Sequence, residues 1–213
     1  MSMFKDVARR LLQIGAVKFN LQEPFDLSGG WKSPIYCDNR IGLSFVEERE
    51  FFRDNLILRL KDECPLADAV CGVATGGISM GAIMADHLRL PYAYVREPKD
   101  HGMKNKIEGS LKPGSHVVIY DDVSTTGASA IKAFKTLREA GYTVIGFITM
   151  LNYNFVGAKN FFTVWDIPVC SITNLDVLCE VAGEMHQLRP YEIEIIKQFS
   201  KDPENWYHLY WAP

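Results

Sequence analysis

The chain has 213 residues, 47% of them apolar and 23% charged, with a formal net charge of −3. Such a composition belongs to a globular protein large enough to bury a core without staples, and it excludes a collagen, a coiled coil or a disordered tail as a description of the whole. The slightly acidic balance also argues against a dedicated nucleic-acid binder, which is usually basic.

Five cysteines, Cys37, Cys64, Cys71, Cys170 and Cys179, are odd in number and form no CxxC pair. That pattern predicts reduced thiols rather than a disulfide framework or a zinc site. Near the start, Lys5, Asp6, Arg9 and Arg10 interrupt any apolar stretch of signal-peptide type. Two long uncharged stretches, 69–85 and 140–158, are cut by Thr75-Gly76-Gly77 and Asn152-Tyr153-Asn154. Each reads as a strand running into a polar loop, not as a membrane span. The expectation is a cytoplasmic protein without membrane or nucleic-acid partners.

In chain order, residues 4–14 carry Phe4, Val7, Ala8, Leu11, Leu12 and Ile14 at helical spacing. Val17 to Arg40 reads as short strands and turns, with Phe25-Asp26-Leu27 and Ile35-Tyr36-Cys37 flanking Ser28-Gly29-Gly30 as a hairpin signal. Ser44 with Glu47 three residues on has the capping-box pattern and predicts a helix to about Lys61. Then the pattern alternates. Strands are predicted at 69–74, 92–95, 116–120, 144–151 and 168–172. Helices are predicted at 78–88, after Gly127 to about Ala140, from an Asn174 cap through about Val181, and from Pro190 onward. Residues 97–114 are polar, lysine-containing and without period. Strands alternating with helices predict βαβ units, hence an α/β fold: a mostly parallel central sheet of about five strands flanked by helices, with an N-terminal hood. One domain over 1–213 is expected, with the hood at about 1–40, the core at 41–185 and a helical tail at 186–213.

Ligands on such sheets bind outside the carboxyl ends of the strands, so the loops after Ala74, Arg96 and Tyr120 carry the interest. The third is the most informative. A β-branched run, His116–Tyr120, delivers Asp121 and Asp122, and Val123-Ser124-Thr125-Thr126-Gly127-Ala128-Ser129 opens a helix. Free N–H groups at a helix start, with hydroxyls beside them, can cradle a phosphate monoester. Gly127 permits close backbone approach, and paired carboxylates can take ribose hydroxyls or a sugar-bound magnesium. The bland alternative is a capped helix after a strand, with Asp122 or Ser124 as N-cap. The GxxxxGK[ST] pattern of a Walker loop is absent.

This segment resembles the phosphoribosyl-diphosphate signature of the type I phosphoribosyltransferases. Gly30-Trp31-Lys32-Ser33-Pro34 resembles the GxKSP element of the family's orotate branch, Gly72–Gly77 its diphosphate loop, and Pro98-Lys99-Asp100-His101-Gly102 its catalytic loop. The likeness spans about residues 1–185. It implies the type I phosphoribosyltransferase fold, a homodimer and transfer of 5-phosphoribosyl from 5-phospho-α-D-ribose 1-diphosphate to orotate, with magnesium carried by the substrate and possibly touched by Asp121 and Asp122. It also implies residue roles. Lys99 and His101 would be catalytic. Lys32, Thr75, Gly76, Arg96, Lys99, His101 and Asp121 through Ser129 would hold phosphoribosyl diphosphate. Lys32, Arg40, Ile41 and Thr125 would meet orotate.

Three departures stand out. The family spaces its loop cations as R-K-x-x-K, whereas Arg96-Glu97-Pro98-Lys99 is one residue shorter. It often has lysine where Gly76 stands. Many members place an arginine after the strand that ends here at Leu151, and this chain has Asn152-Tyr153-Asn154-Phe155. An anionic base wants a cationic or multi-donor partner, so two alternatives stay open: a transferase for uracil or a purine, and a non-catalytic regulator that binds phosphoribosyl diphosphate.

Overall fold

The computed structural model describes residues 2–27, 30–98 and 105–210. Helix α1 (Met3–Gln13) leads into a hood of four short strands, β1 (Val17–Phe19), β2 (Phe25–Asp26), β3 (Lys32–Ser33) and β4 (Ile35–Cys37), then a 3-10 turn (Asn39–Ser44) and α2 (Val46–Glu63). The core follows as β5 (Ala69–Val73), α3 (Gly77–Leu88), β6 (Tyr92–Val95), β7 (Ile107–Glu108), β8 (His116–Ser124), α4 (Ala128–Glu139), β9 (Thr143–Asn152), α5 (Val156–Val164), β10 (Val169–Asn174) and α6 (Leu175–Glu184). Helices α7 (Pro190–Lys201) and α8 (Trp206–Tyr210) complete the described chain.

The central sheet runs β10-β9-β8-β5-β6-β7, with every pair parallel except β6–β7. The five parallel strands match the expected number, and the antiparallel edge strand is an addition. β5 is buried along its whole length, as a parallel strand covered on both faces must be. One apolar core lies between the sheet and α1, α2, α3 and α6; the other lies beneath α4 and α5. Asn174 caps α6 as expected, its Oδ1 accepting from the Val177 N–H at 3.0 Å.

Several boundaries differ from the sequence reading. The hood hairpin splits in two: Phe25–Asp26 pairs with Lys32–Ser33, while Ile35–Cys37 pairs with Val17–Phe19. The Leu27 N–H closes onto the Trp31 carbonyl at 2.9 Å, shortening the first hairpin, and Pro34, which has no N–H, separates the two ladders. Ser44 does not cap α2. It ends the 3-10 turn, and Phe45 precedes the helix without a side-chain cap, leaving Glu47 and Glu48 to complement the helix N-terminus. β7 escaped notice because two residues show no period. α5 escaped because it is only nine residues long, too short for the pattern of its polar residues Lys159, Asn160 and Thr163 to stand out as a helical period. Strand β8 runs four residues past Tyr120, because β9 continues beside it and offers Thr149, Leu151 and Asn152 as partners for Asp121, Val123 and Ser124.

Candidate functional site

The longer β8 changes where the acids stand. Asp121 and Asp122 are strand residues, not loop residues, and although each reaches a different neighbour their two carboxyls stay within hydrogen-bonding reach of each other. Asp121 leans toward α4, where the Ser129 hydroxyl donates to its Oδ2 at 2.8 Å. Asp122 leans toward the hood and α3, and lines a small cavity with Asn39, Arg40, Leu43, Gly76, Met80, Tyr120 and Met150. Burial pushes both carboxyls above their usual range. Asp121 reaches about 8, with the Asp122 charge as the next cause, while Arg40 works to lower Asp122.

The diphosphate-type loop is pressed directly against this strand. Beyond β5 the Ala74–Thr75 peptide is cis, and Gly77 opens α3. A Cβ on Gly77 would lie 2.5 Å from the Tyr120 carbonyl oxygen, and one on Gly76 would run into the Asp122 carboxylate. No side chain fits at Gly76 unless Asp122 moves, which gives the departure from lysine there a physical basis.

Just past the same end of β8, Gly127 adopts a left-handed φ of 72° and is the residue that precedes α4. Neither Asp122 nor Ser124 is the N-cap, because both are still in the strand. The Thr126 hydroxyl accepts from the Ala128 N–H at 3.3 Å, and the remaining first-turn N–H groups of α4 point outward from a helix start. Ser124 is buried and its carbonyl accepts from the Tyr153 N–H at 2.8 Å.

The hood supplies Lys32, whose Nζ lies 2.7 Å from Asp26 Oδ1, a contact that raises its pKa. Arg40 forks onto Asp38 at 2.7 and 3.0 Å, and Ile41 lies in the 3-10 turn beside it. Trp31, Thr126, Phe155 and the segment Ser200–Glu204 surround a cavity of about 290 Å³, where hood, signature loop and the end of α7 meet. Arg96 and Ser129 line a separate groove with Ala74, Lys106 and Lys132. Arg96 is already paired: its Nε is 2.8 Å from Glu108 Oε1, its Nη2 takes the same oxygen, and its Nη1 donates to the Glu97 carbonyl at 2.8 Å. Lys99 and His101 lie outside the described residues.

The corner after β9 packs its aromatic rings inward, though Phe155 also borders the cavity beside Trp31 and Thr126. Tyr153 and Phe155 are buried, Phe155 packs edge-on against Phe199, and the Tyr153 hydroxyl donates to Cys37 Sγ at 3.2 Å. Asn154 turns with φ 60°, its N–H donating to Asn152 Oδ1 at 2.8 Å. In the tail, Trp206 is fully buried and donates to the Ile195 carbonyl at 3.1 Å.

Two residues went unremarked in the sequence. Asn39, 3% exposed, donates from Nδ2 to the Asp122 carbonyl at 2.8 Å and ties the hood to the acid strand. Tyr120, wholly buried, lines the same cavity as Asp122. The only available signal was the polar triplet Asp38-Asn39-Arg40 after an apolar strand. Among the described residues, no group of three or more His, Cys, Asp or Glu could hold a metal ion. With their carboxyls adjacent, Asp121 and Asp122 would suit a magnesium ion brought in by a diphosphate, to which they would offer oxygen ligands.

Comparison with known proteins matches residues 63–160 to the phosphoribosyl transferase domain family. The orotate phosphoribosyltransferase of Cytophaga hutchinsonii is 40% identical over 97% of this chain and 99% of that protein. That of Listeria monocytogenes is 40% identical over the same shares. The crystal structure of orotate phosphoribosyltransferase from Aeropyrum pernix superposes with a TM-score of 0.72 at 32% identity, covering 83% of this chain and 99% of that one.

Proposed function

We propose that this chain, which belongs to the orotate phosphoribosyltransferase family, transfers the 5-phosphoribosyl group of 5-phospho-α-D-ribose 1-diphosphate to orotate, giving orotidine 5′-phosphate and diphosphate in pyrimidine synthesis. The observation that carries the reading is the convergence of three anion- and sugar-binding devices at one end of the sheet. These are the side-chain-free Gly76 loop, the Asp121–Asp122 pair, and the left-handed Gly127 that opens α4.

In this reading the α4 N-terminus, with Thr125, Thr126, Ala128 and Ser129, holds the 5′-phosphate. Asp121 and Asp122 accept from the ribose hydroxyls, aided by the backbone of Val123 and Ser124. Thr75 and Gly76 offer backbone N–H groups to the diphosphate. As the anomeric bond breaks, positive charge grows on the ribose and negative charge on the leaving diphosphate. The acids serve the first and Arg96 the second, Lys99 and His101 taking the same role by family likeness, so positioning and charge stabilisation carry the rate without a side-chain nucleophile. Magnesium, when bound, neutralises part of the diphosphate charge. Lys32, Arg40, Ile41 and Thr125 serve the orotate side.

We read the chain as one phosphoribosyltransferase domain over 1–213, working in the cytoplasm as a homodimer. No helix of the described residues is long and apolar enough to cross a membrane, and all five cysteines are free thiols. The dimer rests on the family likeness. Mixing protein, phosphoribosyl diphosphate, magnesium and orotate should deplete orotate absorbance, while uracil, hypoxanthine and adenine should not turn over. A preference for one of those bases would shift the reading to the other-base transferase suggested by Asn152–Phe155. Binding of phosphoribosyl diphosphate without turnover of any base would favour a regulator.

A further inference from the structure

Two residues that line the cavity between hood and sheet each carry a buried polar atom without a protein partner among the described residues, the Asn39 Oδ1 and the Tyr120 hydroxyl. Both residues line it together with Asp122, and its volume is about 10 Å³, the minimum that admits one water. Leu43, Met80 and Met150 make up its apolar walls. A buried polar atom without a partner costs free energy, and native interiors satisfy such atoms with protein or ordered water. The two atoms are complementary in type: a phenol hydroxyl can donate, and an amide oxygen can only accept. A single water can accept from Tyr120 and donate to both Asn39 Oδ1 and the Asp122 carboxylate, which satisfies all three groups at once.

We propose that Asn39 and Tyr120 are positioning residues that hold one structural water against Asp122 and thereby fix the acid for the ribose. Asn39 then grips Asp122 by two routes, directly through Nδ2 to its carbonyl at 2.8 Å and through the water to its carboxylate. Because Asn39 belongs to the hood and Asp122 to the sheet, the same contact sets the hood's distance from the sugar site. The inference rests on Asp122 being a ribose ligand, so its test includes readouts that do not depend on turnover.

A crystal structure of the wild-type protein, at a resolution that shows ordered water, should place one water within hydrogen-bonding distance of the Tyr120 hydroxyl, Asn39 Oδ1 and an Asp122 carboxylate oxygen. Tyr120→Phe keeps the ring and removes only the anchor. It should lose that water and lower Tm by a few degrees. It should also reduce kcat/KM for phosphoribosyl diphosphate by about tenfold while leaving KM for orotate in place. Asn39→Ala should act in the same direction. A dry cavity, an unchanged or raised Tm in Tyr120→Phe (the result for a hydroxyl that has no partner), or unchanged kinetics would overturn the proposal. Full activity in Asp122→Asn would instead remove the ribose assignment, and would leave the water and the Tm result of Tyr120→Phe as they were.

Discussion

The Asp122 carboxylate occupies the space into which a side chain on Gly76 would project. The Gly76 backbone is helical, φ −61° and ψ −36°, so alanine would be tolerated by the backbone and resisted only by the acid. Gly76→Ala should therefore act as a displacement of Asp122. We expect kcat/KM for phosphoribosyl diphosphate to fall by roughly tenfold or more, with a stability loss of about 1–3 kcal/mol from overpacking. Steady-state kinetics and thermal unfolding check this. Wild-type kinetics would mean that Asp122 can swing aside without consequence.

Asp121→Asn with Asp122→Asn should abolish most turnover and yet stabilise the ligand-free fold. Burial raises Asp121 from 3.8 to about 8 and raises Asp122 in the same direction. A raised carboxylate pKa means that the folded state holds protons the unfolded state has released. Stability therefore declines as pH rises from about 4 to about 8. The double variant lacks that decline, so its Tm should exceed wild type by a margin that grows across this window and levels off above it. A margin that shrinks with rising pH would reverse the sign argued here.

Much of this arrangement could be read from residues alone, for physical reasons. β8 showed itself because a central parallel strand must be apolar on both faces, and the acids and hydroxyls after Tyr120 stood out against that run. The strand's true end did not show, because Asp121 through Ser124 remain extended only by pairing with β9, a tertiary cause. Ser44 and Glu47 matched a capping box, but the 3-10 turn before α2 took Ser44 instead. Gly76 could be seen as a departure from lysine, while its reason, the Asp122 carboxylate, comes from a strand more than forty positions away. Asn39 was invisible for the same cause: its partner is the Asp122 carbonyl, and no local pattern encodes a long-range bond.

Recognition of the base should depend on Lys32 and not on the corner after β9. Tyr153 and Phe155 are committed to the core, and Asn152 Oδ1 is spent on the Asn154 N–H. Lys32 holds a cation near the hood surface, balanced by Asp26. Lys32→Ala should raise KM for orotate, or lower kcat, by at least about tenfold, and Asn152→Ala should change either by less than about threefold. The opposite ranking would hand the base to the Asn152–Phe155 corner and favour a neutral pyrimidine or a purine.

If two copies share their sites, two inactive proteins should complement. One carries Lys99→Ala, the other Asp121→Asn with Asp122→Asn. A mixed dimer in which each loop serves its neighbour has one site with an intact loop and intact acids, so activity should recover to at most about half of wild type per mixed dimer. No recovery after confirmed subunit exchange would confine each loop to its own site.

Arg96 is a cation at the loop's stem that is already held by an acid and a carbonyl. Its guanidinium is bound by Glu108 through two nitrogens and by the Glu97 carbonyl through the third, with its side chain only 14% exposed. Its backbone N–H also donates to the Lys106 carbonyl at 2.9 Å, closing the base of the segment that carries Lys99 and His101. Two roles follow from this geometry: a clamp on the β6–β7 stem, and a charge aimed for the diphosphate. They separate by substitution. Glu108→Gln keeps the shape and weakens the hold, so kcat/KM should fall by only about three- to tenfold. Arg96→Ala removes clamp and charge together, and should cost on the order of a hundredfold, the scale of a lost transition-state donor. Exchanging the pair, Arg96→Glu with Glu108→Arg, rebuilds the stem but puts an anion where the diphosphate would need a cation. We expect thermal stability to recover and activity to stay as low as in Arg96→Ala. Recovery of both would leave Arg96 as a clamp alone, and would pass the diphosphate to Lys99 and His101.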